Sequence, residues 1–532
     1  MVKYLDCTLR DGGYYNNWNF PYEAAKETIF ALDKAKVDII EVGYRSPIKD
    51  PKMGLFKFTN EEYLEYLSLL THAECAFMID VKEYVASKNQ LDIPLLNEHV
   101  LPQAKSLFKW VRLATHITTV NETALMVDWF AEQGYKVCVN LMGCSLLSDN
   151  EIIAALAQMD ADKIEYFYFA DSFGSFYKED VHRLVDLIST KYDGKLGIHT
   201  HDNQGMALSN TLEAIDRDVQ IVDGTLTGMG RGAGNLMTEQ FLLCAKHKLN
   251  LDFGSLEGVN TIIQDYYDPM KNEHKWGFSK HYMLSGLWDI HPTYVQRLMA
   301  ANRFTSEEIN QILNFISDRN TKKFDSETLD LAIKSLLDNK QNKGEDLQGC
   351  EIKPFKSCLI AANPNYLKTK QEELKLFVQQ NEGMELLECN PTGLFKDNSR
   401  YLVALNKSKL DRIVDVGNIK KIITGQDKSA NKVILKQCCY QPFEIGSPSI
   451  NTEGEICIPD YDAGMYAILW AIQSGAKKIA IAGFTGHDSS TENSKMDQFF
   501  ADLNIAFPEI LIQSVSPTSY KNVNQQSLYS KF

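Results

Sequence analysis

Residues 5–17, LDCTLRDGGYYNN, and residues 198–203, IHTHDN, decide how this chain is read. The first follows an extended run, Tyr4–Thr8, and ends in a charged pair, Arg10–Asp11. Gly12–Gly13 then let the backbone turn sharply. In the second, His199 and His201 stand two apart, so in an extended strand both imidazoles point to one side. Between and around these stretches, short β-branched or aromatic runs alternate with amphipathic segments. Strands are expected near Tyr4–Thr8, Asp38–Gly43, Cys75–Asp80, Trp110–Ala114, Lys136–Leu141, Lys163–Ala170, Gly197–Thr200 and Gln220–Asp223. Helices are expected over 22–36, 60–71, 121–133, 150–159, 178–191, 204–216 and 237–248. Ser148 with Glu151 is a capping box opening one of them. Eight such units in about 250 residues match a closed parallel (β/α)8 barrel. An open doubly wound sheet is the alternative, but its Gly-rich dinucleotide fingerprint is missing after the first strand.

Reactive side chains of such a barrel come from the C-terminal ends of its strands and the loops after them. Arg10 and Asp11 lie there on the first strand, with Tyr14 and Tyr15 just beyond, and His199 and His201 on the seventh. A carboxylate with two same-side imidazoles is an open three-ligand site for a divalent ion. After the eighth strand, GTLTGMGRGAGN (residues 224–235) brings Asn235 or backbone amides to the same mouth. Taken singly, these features also read as a strand-end salt bridge, a core histidine pair and a plain connection. Their convergence on one end of one barrel favours the site.

The chain has 532 residues, with 55 Lys/Arg against 70 Asp/Glu, a net charge of −15. That length exceeds one ordinary core. Residues 351–532 hold 20 basic and 20 acidic side chains, so residues 1–350 carry the whole excess. Neither part has the basic surplus that binding a phosphate backbone needs, so nucleic acid is not an expected partner. There is no apolar run of about 18 residues to span a membrane and no signal-peptide pattern. Eleven scattered cysteines without a CxxC pair are expected to be reduced core thiols of a cytoplasmic protein.

LDCTLRDGGYYNNWNF, IIEVGY, FADSFGS, IHTHDNQGMALSN and GMGRGAGN, in that order, resemble the DRE-TIM metallolyase superfamily, its 4-hydroxy-2-oxovalerate aldolase branch above all. KHYMLSGLWDIHPTYVQRL (residues 280–298) is similar to the helical region after the barrel in that branch. The resemblance implies Asp11, His199 and His201 as metal ligands, Arg10 as the group stabilising an enolate, and Asn235 as a further ligand in some members. Glu41, Arg112, Asn140 and Asp171, at or near strand ends, are expected to shape the substrate pocket. The implied activity is a carbon–carbon lyase: a divalent-metal-dependent aldolase joining or splitting pyruvate and an aldehyde, possibly sugar-derived. Alternatives are a Claisen-type synthase using acetyl-CoA, or a non-catalytic barrel scaffold. Manganese or magnesium is the expected cofactor, because carboxylate, imidazole and water ligands suit six-coordination; the ligand set alone also accepts zinc or cobalt. A homo-oligomer is expected by analogy. The branch has a histidine three residues after the ligand Asp, where this chain has Tyr14, so the general base is left among Tyr14, Tyr15 and His116. A Schiff-base lysine is the remaining option: Lys163 opens its strand at the wrong end, and Lys82 lies past the third strand.

The expected domains are the barrel at 1–254, a helical extension at 255–348 and a second, open Rossmann-like α/β domain at 349–532. Thr305–Glu308 reads as a capping box. In the last domain, strands are expected near 357–361, 384–388, 419–424, 432–435, 478–482 and 510–513. DYDAGMYAILWAIQSGAKKIAIAGFTGHD (residues 460–488) reads as helix, buried strand and a loop with Gly483, Gly486, His487 and Asp488. It resembles sugar- or nucleotide-binding domains of surface-polysaccharide enzymes, which implies a sugar-related ligand there.

Overall fold

The structure is a computed structural model. It describes residues 2–300, 304, 306–319, 323–341, 353–391, 394–395, 397–405, 418–424, 438–440, 443–445, 447–450, 456–460, 462–486, 490–530 and 532. The chain divides into two compact units, Met1–Asn302 with Ile309–Ala332, and Arg303–Glu308 with Ile333–Phe532.

In the first unit eight parallel strands close into a barrel: β1 (Lys3–Asp6), β2 (Ile39–Tyr44), β3 (Glu74–Asp80), β4 (Trp110–Thr115), β5 (Lys136–Leu141), β6 (Ile164–Asp171), β7 (Leu196–Thr200) and β8 (Ile221–Gly224). They follow one another around the barrel in chain order, and β8 pairs back onto β1. Alternation along each strand sorts the side chains. Leu5, Ile39, Trp110, Tyr166 and Ile221 belong to one buried cluster, while Val111 and Leu113 join the larger core that includes the helices. The helix Lys178–Ser189 shows why those helices form: Val181, Leu184, Val185 and Ile188 make one apolar stripe, all buried. Each such side chain contributes about 1.5–3 kcal/mol on burial. The capping box at Ser148 and Glu151 is present.

Two expectations for this unit are corrected. Residues 60–71 are not an α-helix but two 3-10 turns, Glu61–Tyr63 and Glu65–Leu69. The apolar residues there, Leu64, Leu67 and Leu70, recur every three positions, the 3-10 repeat, and the Glu61 carboxylate is held by Arg45, Ser106 and the Leu107 amide. Gly12 does not make a sharp turn either; its backbone is helical, φ −65° and ψ −23°. What both glycines supply is space: a Cβ at Gly12 would lie 2.5 Å from Met229 Sδ, and one at Gly13 would lie 2.1 Å from the Trp18 ring.

Residues 255–300 and 306–341 are helical where described, with no strand among them. The helices Asp268–His274, Lys280–Leu287 and Thr293–Ala300 belong to the segment that lies against the barrel's last loops. Lys271 Nζ and Trp276 Nε1 both donate to the Thr227 carbonyl, at 3.1 and 3.2 Å. Asn203 Nδ2 donates to Ser285 Oγ at 3.1 Å, and Pro292 packs on Gly232. Thr305 of the expected capping box lies outside the described residues.

The second unit is an open sheet of eight strands, all pairs parallel: β9 (Ser357–Ala361), β10 (Met384–Cys389), β11 (Arg400–Val403), β12 (Ile419–Thr424), β13 (Cys438–Tyr440), β17 (Lys478–Ala482), β18 (Leu511–Ser514) and β19 (Asn524–Gln525). Between β13 and β17 a small separate sheet forms from β14 (Phe443–Ile445), β15 (Ser449–Ile450) and β16 (Ile456–Ile458). The order in the large sheet is β13-β12-β11-β10-β9-β17-β18-β19, which reverses direction between β9 and β17. Both faces are covered, as a parallel sheet requires: Cys358 and Ile360 join one core, Leu359 and Ala361 another. The expected strand at 432–435 and the residues His487 and Asp488 lie outside the described residues.

Candidate metal and substrate site

At the C-terminal end of the barrel, ligand atoms of Asp11, His199 and His201 all lie within 4.8 Å of one another, and all three residues are buried. Local folding sets each of them. Asp11 ends the short helix Thr8–Asp11 that follows β1. His199 lies on β7 in register with Asp223 of β8. His201, just past β7, makes an isolated bridge with Asn235, which carries the glycine-rich loop back over the strand end.

Hydrogen bonds fix which nitrogens face the cluster. His199 Nδ1 meets Asp223 Oδ2 at 2.9 Å, and His201 Nδ1 meets the Asp171 carbonyl at 3.0 Å. Both partners only accept, so each ring in its neutral form carries the proton on Nδ1 and turns a lone pair outward on Nε2. His201 Nε2 is buried without a protein partner, and so are Asn235 Oδ1, Asn140 Oδ1 and Arg10 Nη2. Asn235 Nδ2 donates to Asp11 Oδ2. A Cβ on Gly230 would lie 2.5 Å from Asn235 Nδ2 and 2.7 Å from Asp11 Oδ2, so only glycine fits there. Two imidazole lone pairs, one carboxylate, orphaned buried acceptors and a cradle that a methyl would fill suit a divalent cation. A second acid-and-histidine cluster, Cys7 with His199 and Asp223, shares this neighbourhood. It is a poorer cation site, because Arg112 Nη2 already stands 2.6 Å from Asp223 Oδ2.

Beneath the cluster runs a buried chain of alternating charge. Arg10 Nη1 bonds Asp11 Oδ1 at 2.5 Å and Arg10 Nε bonds Glu41 Oε2 at 2.7 Å. Arg112 Nη1 reaches the same Glu41 oxygen at 3.4 Å and Arg112 Nη2 reaches Asp223, while the Arg112 guanidinium sits 4.1 Å over the Tyr168 ring. Burial alone would raise the Asp11 carboxyl, but Arg10, the two imidazoles and the Asn235 amide outweigh it and hold it well below the usual carboxylate range. Burial, then the neighbouring His199, pushes His201 down to about 3, so the imidazole is neutral and able to ligate. Asp223 is held below the ordinary value: burial opposes this, and Arg112 and His199 prevail.

The other expected site residues are distributed as follows. Glu41 and Arg112 belong to the charge chain, and Asn140 ends β5 among buried groups. The Asp171 carboxylate turns into its own loop, accepting the Ser175 and Phe176 amides, and burial pushes it up to about 7; its carbonyl reaches the site. Tyr14 is 42 % exposed at the mouth, its hydroxyl 3.2 Å from that of Tyr44. Tyr15 donates to the Gly232 carbonyl at 3.0 Å. His116 lies on the rim, where partial burial, opposed by Asp80, and then Lys82, Lys323 and Arg231 lower its pKa. Burial would lower Lys82, but the Asp80 carboxylate at 2.8 Å outweighs it and keeps the amine protonated, contrary to what a Schiff-base lysine needs.

Asp223 and His291 were not singled out in the sequence. Asp223 reads only as the end of a strand. His291 lies beyond the barrel, beside Pro292; its ring centre is 6.2 Å from that of Phe173 in the β6 loop. Burial, then Arg231 and His116, pushes it down to about 3.

The barrel unit resembles one class of protein: residues 97–263 match the HMGL-like family model. Among particular proteins, the chain is 27 % identical over 271 residues to the 4-hydroxy-2-oxovalerate aldolase of Pelotomaculum thermopropionicum, covering 49 % of this chain and 76 % of that protein. It is 29 % identical over 258 residues to the oxaloacetate decarboxylase of Mycobacterium tuberculosis, covering 48 % and 73 %. A solved structure, the N-terminal domain of a candidate aldolase from Bacteroides vulgatus, superposes with a TM-score of 0.51 at 29 % identity, over 56 % of this chain and 97 % of that one. No described helix is long and apolar enough to cross a membrane.

Proposed function

We propose that this protein is a divalent-metal-dependent aldolase acting between pyruvate and an aldehyde. The observation that carries the reading is the convergence of Asp11 with the two outward-facing Nε2 atoms at the mouth of an HMGL-like barrel. Asp11, His199 and His201 would hold the cation, and the unpartnered Asn235 Oδ1, whose amide nitrogen donates to Asp11, would offer a further donor. Manganese or magnesium, when bound, supplies a Lewis acid that draws electrons toward the ketone oxygen of a 2-oxo acid. Arg10, anchored by Asp11 and Glu41, places positive charge where the enolate oxygen becomes negative, which favours the transition state over the ground state. Asn140 offers an unpartnered amide oxygen to the substrate. Making or breaking the carbon–carbon bond moves the proton of the 4-hydroxyl. Tyr14, His116 and His291 stand around the mouth for that step. His116 is the preferred acceptor, because an imidazole closer to its ordinary value accepts a proton better than His291 does.

The barrel and its helical extension, residues 1–348, would carry this activity, and the sheet of residues 349–532 a separate ligand or assembly role. A second reading rests on the oxaloacetate decarboxylase relative: loss of carbon dioxide from oxaloacetate also yields pyruvate enolate, so the same groups serve. Manganese-loaded protein in deuterated water is expected to exchange the pyruvate methyl protons, and chelation is expected to stop it. Absence of exchange with full metal occupancy refutes both readings. Release of carbon dioxide from oxaloacetate without aldol cleavage favours the second.

A further inference from the structure

Arg231 stands in the glycine-rich loop between Gly230, which abuts Asp11 and Asn235, and Gly232, which packs against Pro292. Its guanidinium carbon lies 5.9 Å from the centre of the Tyr14 ring, and its Nε is buried with no hydrogen-bond partner. Four other cations around this end of the barrel are matched. Arg10 has Asp11 at 2.5 Å, Arg112 has Asp223 at 2.6 Å, Lys82 has Asp80 at 2.8 Å and Lys57 has Glu83 at 3.7 Å. Among the described residues no carboxylate forms an ion pair with Arg231. A partly buried, always-charged fork with an unused donor is well suited to an oxyanion.

Position indicates which substrate brings that anion. The 2-oxo acid end of the pocket, by the reading above, belongs to the cation and Arg10. Arg231 instead stands beside Tyr14, whose exposure marks the opening of the site. Its charge is felt by His116 and His291, the two imidazoles of the rim. A group entering from solvent therefore meets Arg231 before it meets Asp11.

We propose that Arg231 is the receptor for an anionic group on the aldehyde partner, so that the second substrate is an aldehyde bearing a phosphate or a carboxylate. This rests on the aldolase reading. Phosphate and carboxylate share the fork-matching geometry, and both would gain from a site that keeps its cation unpaired. A neutral aldehyde would leave the guanidinium uncompensated in its half-buried position.

The full-length, manganese-loaded protein is the test system. Pyruvate methyl exchange in the wild type is measured first; its absence overturns the aldolase reading and this proposal with it. Where exchange occurs, kcat/KM is compared for glyceraldehyde, glyceraldehyde 3-phosphate and succinate semialdehyde. At least one charged aldehyde is expected to exceed the neutral one about tenfold or more, and which one does so identifies the anion. Arg231→Gln is expected to cut that preference by roughly 10- to 100-fold, chiefly through KM, and Arg231→Lys to keep part of it. The proposal is overturned, with the aldolase reading left standing, if neutral and charged aldehydes react equally in the wild type. It is overturned equally if Arg231→Gln slows all three in parallel.

Discussion

Replacing Asp223 by asparagine tests whether the metal site is organised as described. All three partners of this buried carboxylate use one oxygen: His199 Nδ1, Arg112 Nη2 and, at 4.0 Å, Cys7 Sγ contact Oδ2, while Oδ1 has no partner. An asparagine can put its carbonyl where Oδ2 stands and its amide at the unused position, so the shape survives and only the charge is lost. Arg112 keeps Glu41 at 3.4 Å, so no guanidinium is stranded. What weakens is the charge-assisted bond that orients His199 and makes its Nε2 a better donor. Such outer partners are worth about 10- to 100-fold in metal affinity, or about 1.4–2.7 kcal/mol. Calorimetric titration of metal-free wild type and Asp223→Asn with manganese, beside circular dichroism to confirm folding, measures it. A folded variant that binds manganese within twofold of the wild type refutes the claim that Asp223 sets His199 as a ligand.

Gly230→Ala is expected to abolish measurable manganese binding, because the added methyl overlaps Asp11 and Asn235; Gly143→Ala, with nothing within 4 Å but φ +71°, is expected to bind normally at a cost of about 1 kcal/mol in stability. Asp33 accepts the Thr71, His72 and Ala73 amides and the Thr71 hydroxyl, so Asp33→Asn should lower the stability of the barrel unit by about 2 kcal/mol at neutral pH, read by urea unfolding. Burial would raise the Asp33 carboxyl, but those donors outweigh it and lower its native pKa; its contribution is therefore complete above about pH 4 and is lost as pH falls through the native value. The gap between wild type and variant should accordingly shrink on acidification, and a gap that stays constant from pH 7 to pH 3 refutes the assignment. His116→Gln should reduce aldol cleavage about 100-fold, measured by coupled pyruvate release, with methyl exchange reduced less; equal losses in both would move the proton-transfer role elsewhere.

The sequence made some of this legible because the relevant signals are local. Strand parity alone predicts that His199 and His201 face one side, and β-branched or aromatic runs mark all eight barrel strands. The partner that orients His199 was not legible, since Asp223 meets it only through the pairing of β7 with β8. The same holds for the Glu41–Arg112 contact, which spans the barrel interior. The turns at 61–69 are not legible as such, because leucines spaced by three and four look alike over one short segment. His291 is not legible as a site residue, because it reaches the mouth from the turn between two helices beyond the barrel, and only the tertiary fold brings it to Phe173. In the second unit, 357–361 and 478–482 were visible as apolar runs, but their adjacency at the reversal of strand order is a property of topology.

The ladder of ions under the site has an arithmetic of its own. Asp11, Glu41 and Asp223 against Arg10 and Arg112 leave one negative charge in the barrel's interior. On the proposed reading, a dication would invert that to a single positive charge, and a monovalent keto acid would then bring the enclosure to neutrality. An uncharged analogue such as methyl pyruvate would leave the ensemble unbalanced in a low-permittivity cavity, where such imbalance is least tolerated. On the proposed reading, selectivity for free acids over their esters would follow from the charge balance of the whole ladder and not from any single contact.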